Sequence, residues 1–259
     1  MDITFIIVIF AIGFIGSFLS GILGIGGSII NYPILLYIPP LFGLVAFTAH
    51  EVSGITAVQV LFASFAGVLT YRKSGYLNKQ LIIYMGGSIL IGSLIGSYGS
   101  SYLSEQSVNV VYGILAAVAT VMMFVPKKQV DEVTLDEVTF NKPLAVILAL
   151  IVGMTSGIVG AAGGFLLTPI MLTVLHIPTR MTIATSLAVT FISSIGGSIG
   201  KLVTGQVDYW PALIMIVASL LAAPLGAKTG KKMNTRILQI ILALMIAGTA
   251  VKIWLNILM

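Results

Sequence analysis

The residues of this chain best placed to do chemistry are glycines. Gly21-Ile22-Leu23-Gly24-Ile25-Gly26-Gly27-Ser28-Ile29-Ile30-Asn31-Tyr32-Pro33 recurs, ungapped and 136 positions later, as Gly157-Ile158-Val159-Gly160-Ala161-Ala162-Gly163-Gly164-Phe165-Leu166-Leu167-Thr168-Pro169. A helix interrupted inside a bilayer exposes backbone N–H groups at the start of the next segment. Together with the positive end of the helix dipole, those groups make a site for an anion. Gly26-Gly27-Ser28 and Gly163-Gly164 are expected to open two such segments, approaching each other from opposite faces. The competing reading is that the glycines only let helices pack closely. Pro33 and Pro169, equally spaced downstream in the two copies, favour the binding role, because packing alone does not call for them.

Side chains that could complete such a site lie on the third apolar segment of each half: Ser53, Thr56 and Gln59 in one, Thr182, Thr185, Ser186 and Thr190 in the other. Thr56 and Gln59 are three apart and share a helix face. Thr56 and Ser186 are matched by the duplication and are expected to line one cavity. The alternative for each is an interhelical hydrogen bond worth about 0.6 kcal/mol. His50 and Glu51 stand at the edge of a span, where they form a candidate proton relay or simply stay hydrated. Lys201 and Arg180 flank another span and either guide anions or snorkel to the interface. His176 reads as an interfacial side chain.

Other chemistry is poorly supported. The chain has no cysteine and two histidines, which leaves no thiolate chemistry and little for an imidazole metal cluster. There is no H-E-x-x-H motif and no P-loop, so the chain by itself is not an ATP-driven pump, and no cofactor is expected. Gly196-Gly197-Ser198-Ile199-Gly200 matches the G-x-S-x-G nucleophile pattern, but it lies in a charge-free helical span and lacks a strand-to-helix turn. It reads as a packing face, as does Gly92 with Gly96. A net charge of +5 does not signal nucleic acid, because the basic residues sit in short loops between apolar spans.

The elements that must position these residues are membrane helices. At 58% hydrophobic and 8% charged residues, with a mean hydropathy of +1.11, the chain cannot present a soluble domain's surface. Charge-free stretches predict spans at 3–23, 52–71, 80–103, 106–125, 143–163, 181–200, 210–227 and 235–255. Segments 28–42 and 165–176 reach only about 18–22 Å and are half-helices or depend on neighbouring protein. The start, Met1-Asp2, lacks the basic region of a cleaved signal and is expected to be retained. Residues 127–142 hold four of the eight acids and read as a cytoplasmic linker between membrane repeats 1–126 and 143–259.

With the N-terminus outside, Arg72, Lys73, Lys79, Lys127, Lys128, Lys142, Arg180, Lys228, Lys231, Lys232 and Arg236 fall in cytoplasmic loops, leaving Lys201 and Lys252 outside. Matching loops of the halves then face opposite sides, which predicts inverted repeats of about five apolar segments each. A second block supports the duplication: Ser64–Gly67 through Gly75–Asn78 aligns with Ser194–Gly197 through Gly205–Asp208 at an offset of 130.

These residues resemble one family. Gly-x-x-Gly-x-Gly-Gly-x5-Pro ending at Pro33, Gly157 to Pro169, Thr185-Ser186-Leu187-Ala188-Val189 and Lys201-x3-Gly205-x2-Asp208 are similar to the TauE/SafE sulfite exporter family, and the ordered set spans nearly the whole chain. Where some relatives carry Asn-Lys-Leu-Gln, this chain has Thr56-Ala57-Val58-Gln59, without the lysine. The resemblance implies a secondary transporter of sulfite, organosulfonates or related small anions in the bacterial inner membrane. The expected fold is an all-α polytopic membrane protein with two inverted repeats and glycine-broken or re-entrant helices. The expected partners are a small anion and the lipid bilayer, with a coupling proton and a homodimer permitted by the sequence but not specified. The alternatives from other classes are an intramembrane enzyme and a non-transporting scaffold, against the first of which stands the lack of paired catalytic groups.

Overall fold

The computed structural model describes residues 3–72, 75–124, 138–234 and isolated positions between 237 and 255. The acidic linker expected at 127–142 therefore lies, up to residue 137, outside the described residues, as does much of the span expected at 235–255. Nine helices follow in order among the described residues: α1 (Ile3–Leu23), α2 (Ser28–Leu41), α3 (Ala49–Tyr71), α4 (Lys79–Gly99), α5 (Glu105–Phe124), α6 (Lys142–Val159), α7 (Gly164–Thr173), α8 (Thr179–Val203) and α9 (Tyr209–Lys232), with a 3-10 turn at Ser100–Tyr102 after α4. Among the described residues seven helices are long and apolar enough to cross a membrane, while α2 and α7 are shorter. At about 1.5 Å per residue, those two fall well short of the roughly 30 Å hydrocarbon core.

Local chemistry sets the ends. Thr48 and Glu51 form a capping box at the start of α3, and Asn78, Asn141 and Asp208 accept from the first-turn amides of α4, α6 and α9. The expected span 143–163 is corrected to an end at Val159. Gly160 takes φ 70° as its C-cap, a left-handed conformation that stops the helix where glycine permits it. The span expected to end near 227 instead runs through Pro224 to Lys232.

The packing is reciprocal. The most extensive interfaces pair α4 with α6 and α1 with α9, while α3 and α8 pack together and also contact α9 and α4 respectively. Under the duplication α1 matches α6 and α4 matches α9, so each half lays its first helix on the fourth helix of the other. Small residues allow it. A Cβ at Gly153 would stand 2.6 Å from the Ile89 carbonyl oxygen, and one at Gly157 would stand 2.6 Å from that of Ser93, both across the α4–α6 seam. On the α1–α9 seam, a Cβ at Gly230 would stand 2.7 Å from the Ile22 carbonyl oxygen. Between apolar helices in lipid, close van der Waals approach of this kind drives association. Large apolar side chains such as Ile7, Ile83, Ile91 and Leu221 remain on the outside, a surface suited to acyl chains.

Candidate functional site

The two breaks are conformational copies. Gly24, Gly26 and Gly27 have φ of 75°, 80° and 80°, and their counterparts Gly160, Ala162 and Gly163 have 70°, 49° and 74°. Gly27 and Gly163 are the N-caps of α2 and α7, and neither makes a side-chain cap bond. The first-turn amides of both helices thus have no side chain to accept from them at the cap. A Cβ at Gly27 would meet the Gly16 carbonyl oxygen at 3.0 Å, and one at Gly163 the Ser156 Oγ at 3.0 Å, so each cap lies against the helix that precedes it. Ser28 is the first residue of α2.

Gly26 and Gly164 are brought together across the repeat by one residue that belongs to neither break. A Cβ at Gly164 would lie 2.6 Å from the Ile25 carbonyl carbon and 2.7 Å from Thr190 Oγ1; a Cβ at Gly26 would lie 2.8 Å from Thr190 Cγ2. Thr190, midway along α8, is fully buried, and its hydroxyl has no hydrogen-bond partner. Among the described residues, the same is true of Ser20 Oγ, both amide atoms of Asn31, Gln59 Oε1 and Ser193 Oγ. Three of these residues gather along α1, while Ser193 lies on α8 one turn from Thr190, where its carbonyl accepts from Ser93 of α4. Asn31 abuts Gly16, Ser20 abuts Gly27, and Gln59 Nε2 donates to Ser17 Oγ at 2.7 Å and to Ser219 Oγ at 3.1 Å. Buried polar atoms are nearly always paired, so a group of unpaired ones marks either a strained site or one built for a ligand.

The other expected site residues have structural partners. Thr56 donates to its own helix, to the carbonyls of Val52 at 2.8 Å and Ser53 at 3.2 Å. Ser186 donates to the Gly24 carbonyl at 2.8 Å, bracing the first break. Thr185 accepts from Asn78 N at 3.1 Å and holds the loop before α4. Ser198 donates to the Ala57 carbonyl at 3.1 Å, between α8 and α3. Glu51 is committed to its capping box, and Arg180 donates to the Lys231 and Met233 carbonyls at the end of α9.

His50 and Lys201 converge. Lys201 is fully buried, which corrects the expectation that it snorkels. Thr204 and Gly205, the latter at φ 68°, turn the chain so that Gln206 N bonds the Lys201 carbonyl at 3.0 Å. The Lys201 ammonium donates to Gln206 Oε1 and Ser100 Oγ, both at 2.7 Å, and to the Ile158 carbonyl at 2.9 Å. His50 Nδ1 lies 3.1 Å from the same Gln206 oxygen, and its Nε2 lies 3.7 Å from Glu105 Oε1.

Asn31, Ser20 and Ser193, whose buried side-chain polar atoms have no partner, are residues that the sequence pattern did not single out. Asn31 lies inside the repeated glycine segment, and an amide in so apolar a run was the available signal.

Seven helices long and apolar enough to cross a membrane, among the described residues, together with two interrupted segments that touch each other, make this an all-α polytopic membrane protein. The chain belongs to the sulfite exporter TauE/SafE family, which it matches over residues 9–253. Its relatives include the probable membrane transporter protein YunE of Bacillus subtilis, 24% identical over 93% of this chain and 94% of its own length. A probable membrane transporter protein of Methanocaldococcus jannaschii is 28% identical, covering 90% of this chain and 89% of its own length. One from Haemophilus influenzae is 26% identical, covering 98% and 99%. No solved structure matches.

Proposed function

We propose that this protein carries a small sulfur oxyanion or organosulfonate, such as sulfite or sulfoacetate, across the bacterial inner membrane by alternating access between two inverted halves. The observation that carries this reading is the fully buried Thr190, which stands between Gly26 and Gly164 with its methyl toward the first and its unpaired hydroxyl toward the second. An anion there would receive the first-turn amides of α2 and α7 from two sides, with hydrogen bonds from Thr190, Ser20, Ser193 and the Asn31 amide. The amide oxygens of Gln59 and Asn31 call for a donor, which water or a protonated oxyanion such as hydrogensulfite supplies. Gly27, Ser28 and Gly163 shape the two helix starts, while Thr56, Thr185 and Ser186 hold the walls. The reciprocal packing of α1 on α9 and α4 on α6 supports an inverted arrangement, because a site between equivalent halves is reached from each side in turn.

Purified protein in liposomes tests the proposal. Saturable uptake of radiolabelled sulfite or sulfoacetate, recovered chemically unchanged and exceeding that of sulfate, is the expected result. Chemical conversion of the anion would support an enzyme instead, and absence of flux in folded protein would support a scaffold.

A further inference from the structure

Lys201 carries a charge that the central site does not use. It sits in the last turn of α8, at the end of the molecule that the basic-loop count places outside. Its three ammonium hydrogens are directed to three neutral oxygens, those of Gln206, Ser100 and Ile158. Among the described residues no carboxylate lies within ion-pair distance of it; Glu105 is turned to His50. A cation buried in a helix bundle with only dipoles in contact, and a carboxylate acting on it at longer range, keeps a positive potential on its own side, and ionisable groups so placed mark ion pathways. Ile158 is two residues before Gly160, so Lys201 is also tied to the second break.

The duplication supplies an independent observation. At the offset of 130, Lys201, Gln206, His50 and Ser100 correspond to Tyr71, Tyr76, Arg180 and Gly230. These four counterparts, with Ile183 and Lys231, line a small cavity at the opposite end of the molecule. Equivalent clusters at the two ends therefore each hold a cation, at different positions within them: Arg180 stands where the outer cluster has His50, and Lys201 where the inner one has Tyr71, with Gln206 over Lys201.

We propose that Lys201 forms a second anion station at the outer end of the path, taking a small oxyanion or sulfonate in place of Gln206 Oε1 and the Ser100 hydroxyl, with His50 holding Gln206 as the closing residue. The station rests on the carrier reading for the identity of its anion, but its potential is measurable without transport. Because the chain has no cysteine, a single Gln206→Cys can be labelled with two thiosulfonate reagents, one bearing a sulfonate and one a trimethylammonium group, with Val45→Cys in the exposed loop before α3 as reference. The sulfonate reagent should be preferred at position 206 by about tenfold or more over the reference. Adding Lys201→Gln should remove that preference, and Lys201→Arg should keep it. Sulfoacetate should slow the labelling; sulfite is avoided because it attacks thiosulfonates itself. A preference equal to the reference, or one that survives Lys201→Gln in protein that still purifies as folded, overturns the station. If liposomes show no flux while the preference and protection persist, the station stands and the carrier reading falls. Flux with charge-blind labelling gives the reverse.

Discussion

Thr190, Gln59 and Thr56 are all fully buried, yet their polar atoms are used differently. The Thr56 hydroxyl returns to its own helix, an arrangement open to any threonine in a helix and one that leaves the residue with little to offer a ligand. Thr190 Oγ1 and Gln59 Oε1 have no partner. Thr190→Val and Gln59→Ala should each weaken sulfoacetate binding by about 1.5–3 kcal/mol, roughly ten- to a hundredfold. Thr56→Ala should change it by less than about threefold, and titration calorimetry on the purified variants measures all three. The reverse ranking would move the site toward α3. Sequence spacing could nominate Thr56, Ser186 and Thr190 as equals but could not rank them, because whether a hydroxyl is satisfied depends on what the fold brings to it. For Lys201 the sequence left guiding and snorkelling open for the same kind of reason: the apolar run ends near it, but the turn at Thr204-Gly205 folds Gln206 back over it.

At the scale of elements, glycine lets backbone approach backbone in two places, the helix seams and the breaks, and the two are separated by whether binding is lost with stability. A Cβ at Gly153 would press on the Ile89 carbonyl oxygen at 2.6 Å, in the α4–α6 seam. Gly153→Leu should therefore cost about 3 kcal/mol or more of stability, seen as a lowered melting temperature in detergent, while the folded fraction still binds. A Cβ at Gly164 would strike the Ile25 carbonyl as well as Thr190 Oγ1 at 2.7 Å, so Gly164→Leu should lower the melting temperature and, unlike Gly153→Leu, also lose binding in the fraction that remains folded. Wild-type affinity in folded Gly164→Leu would return this glycine to packing. The breaks themselves were legible in advance, since Gly and Pro punctuate a helix locally and apolar length decides what crosses. Their mutual contact was not, because it depends on how α8 passes between them.

For the whole molecule, the crowding of basic residues in alternate loops predicts one orientation, with the N-terminus outside. Cysteine introduced at Val45 should react with an impermeant reagent added outside cells, and cysteine at Asp131 should react only after permeabilisation. The opposite pattern would invert the orientation and put Lys201 at the inner end. Alternating access makes a stronger demand, that a single buried point be reached from both sides. Thr190→Cys in this cysteine-free chain tests it most directly: liposome-reconstituted protein is labelled by an impermeant thiol reagent supplied inside or outside, with and without sulfoacetate. The account predicts labelling from each side in turn and protection by sulfoacetate on both. Labelling from neither side, or labelling indifferent to sulfoacetate, would contradict an anion site between the two helix breaks.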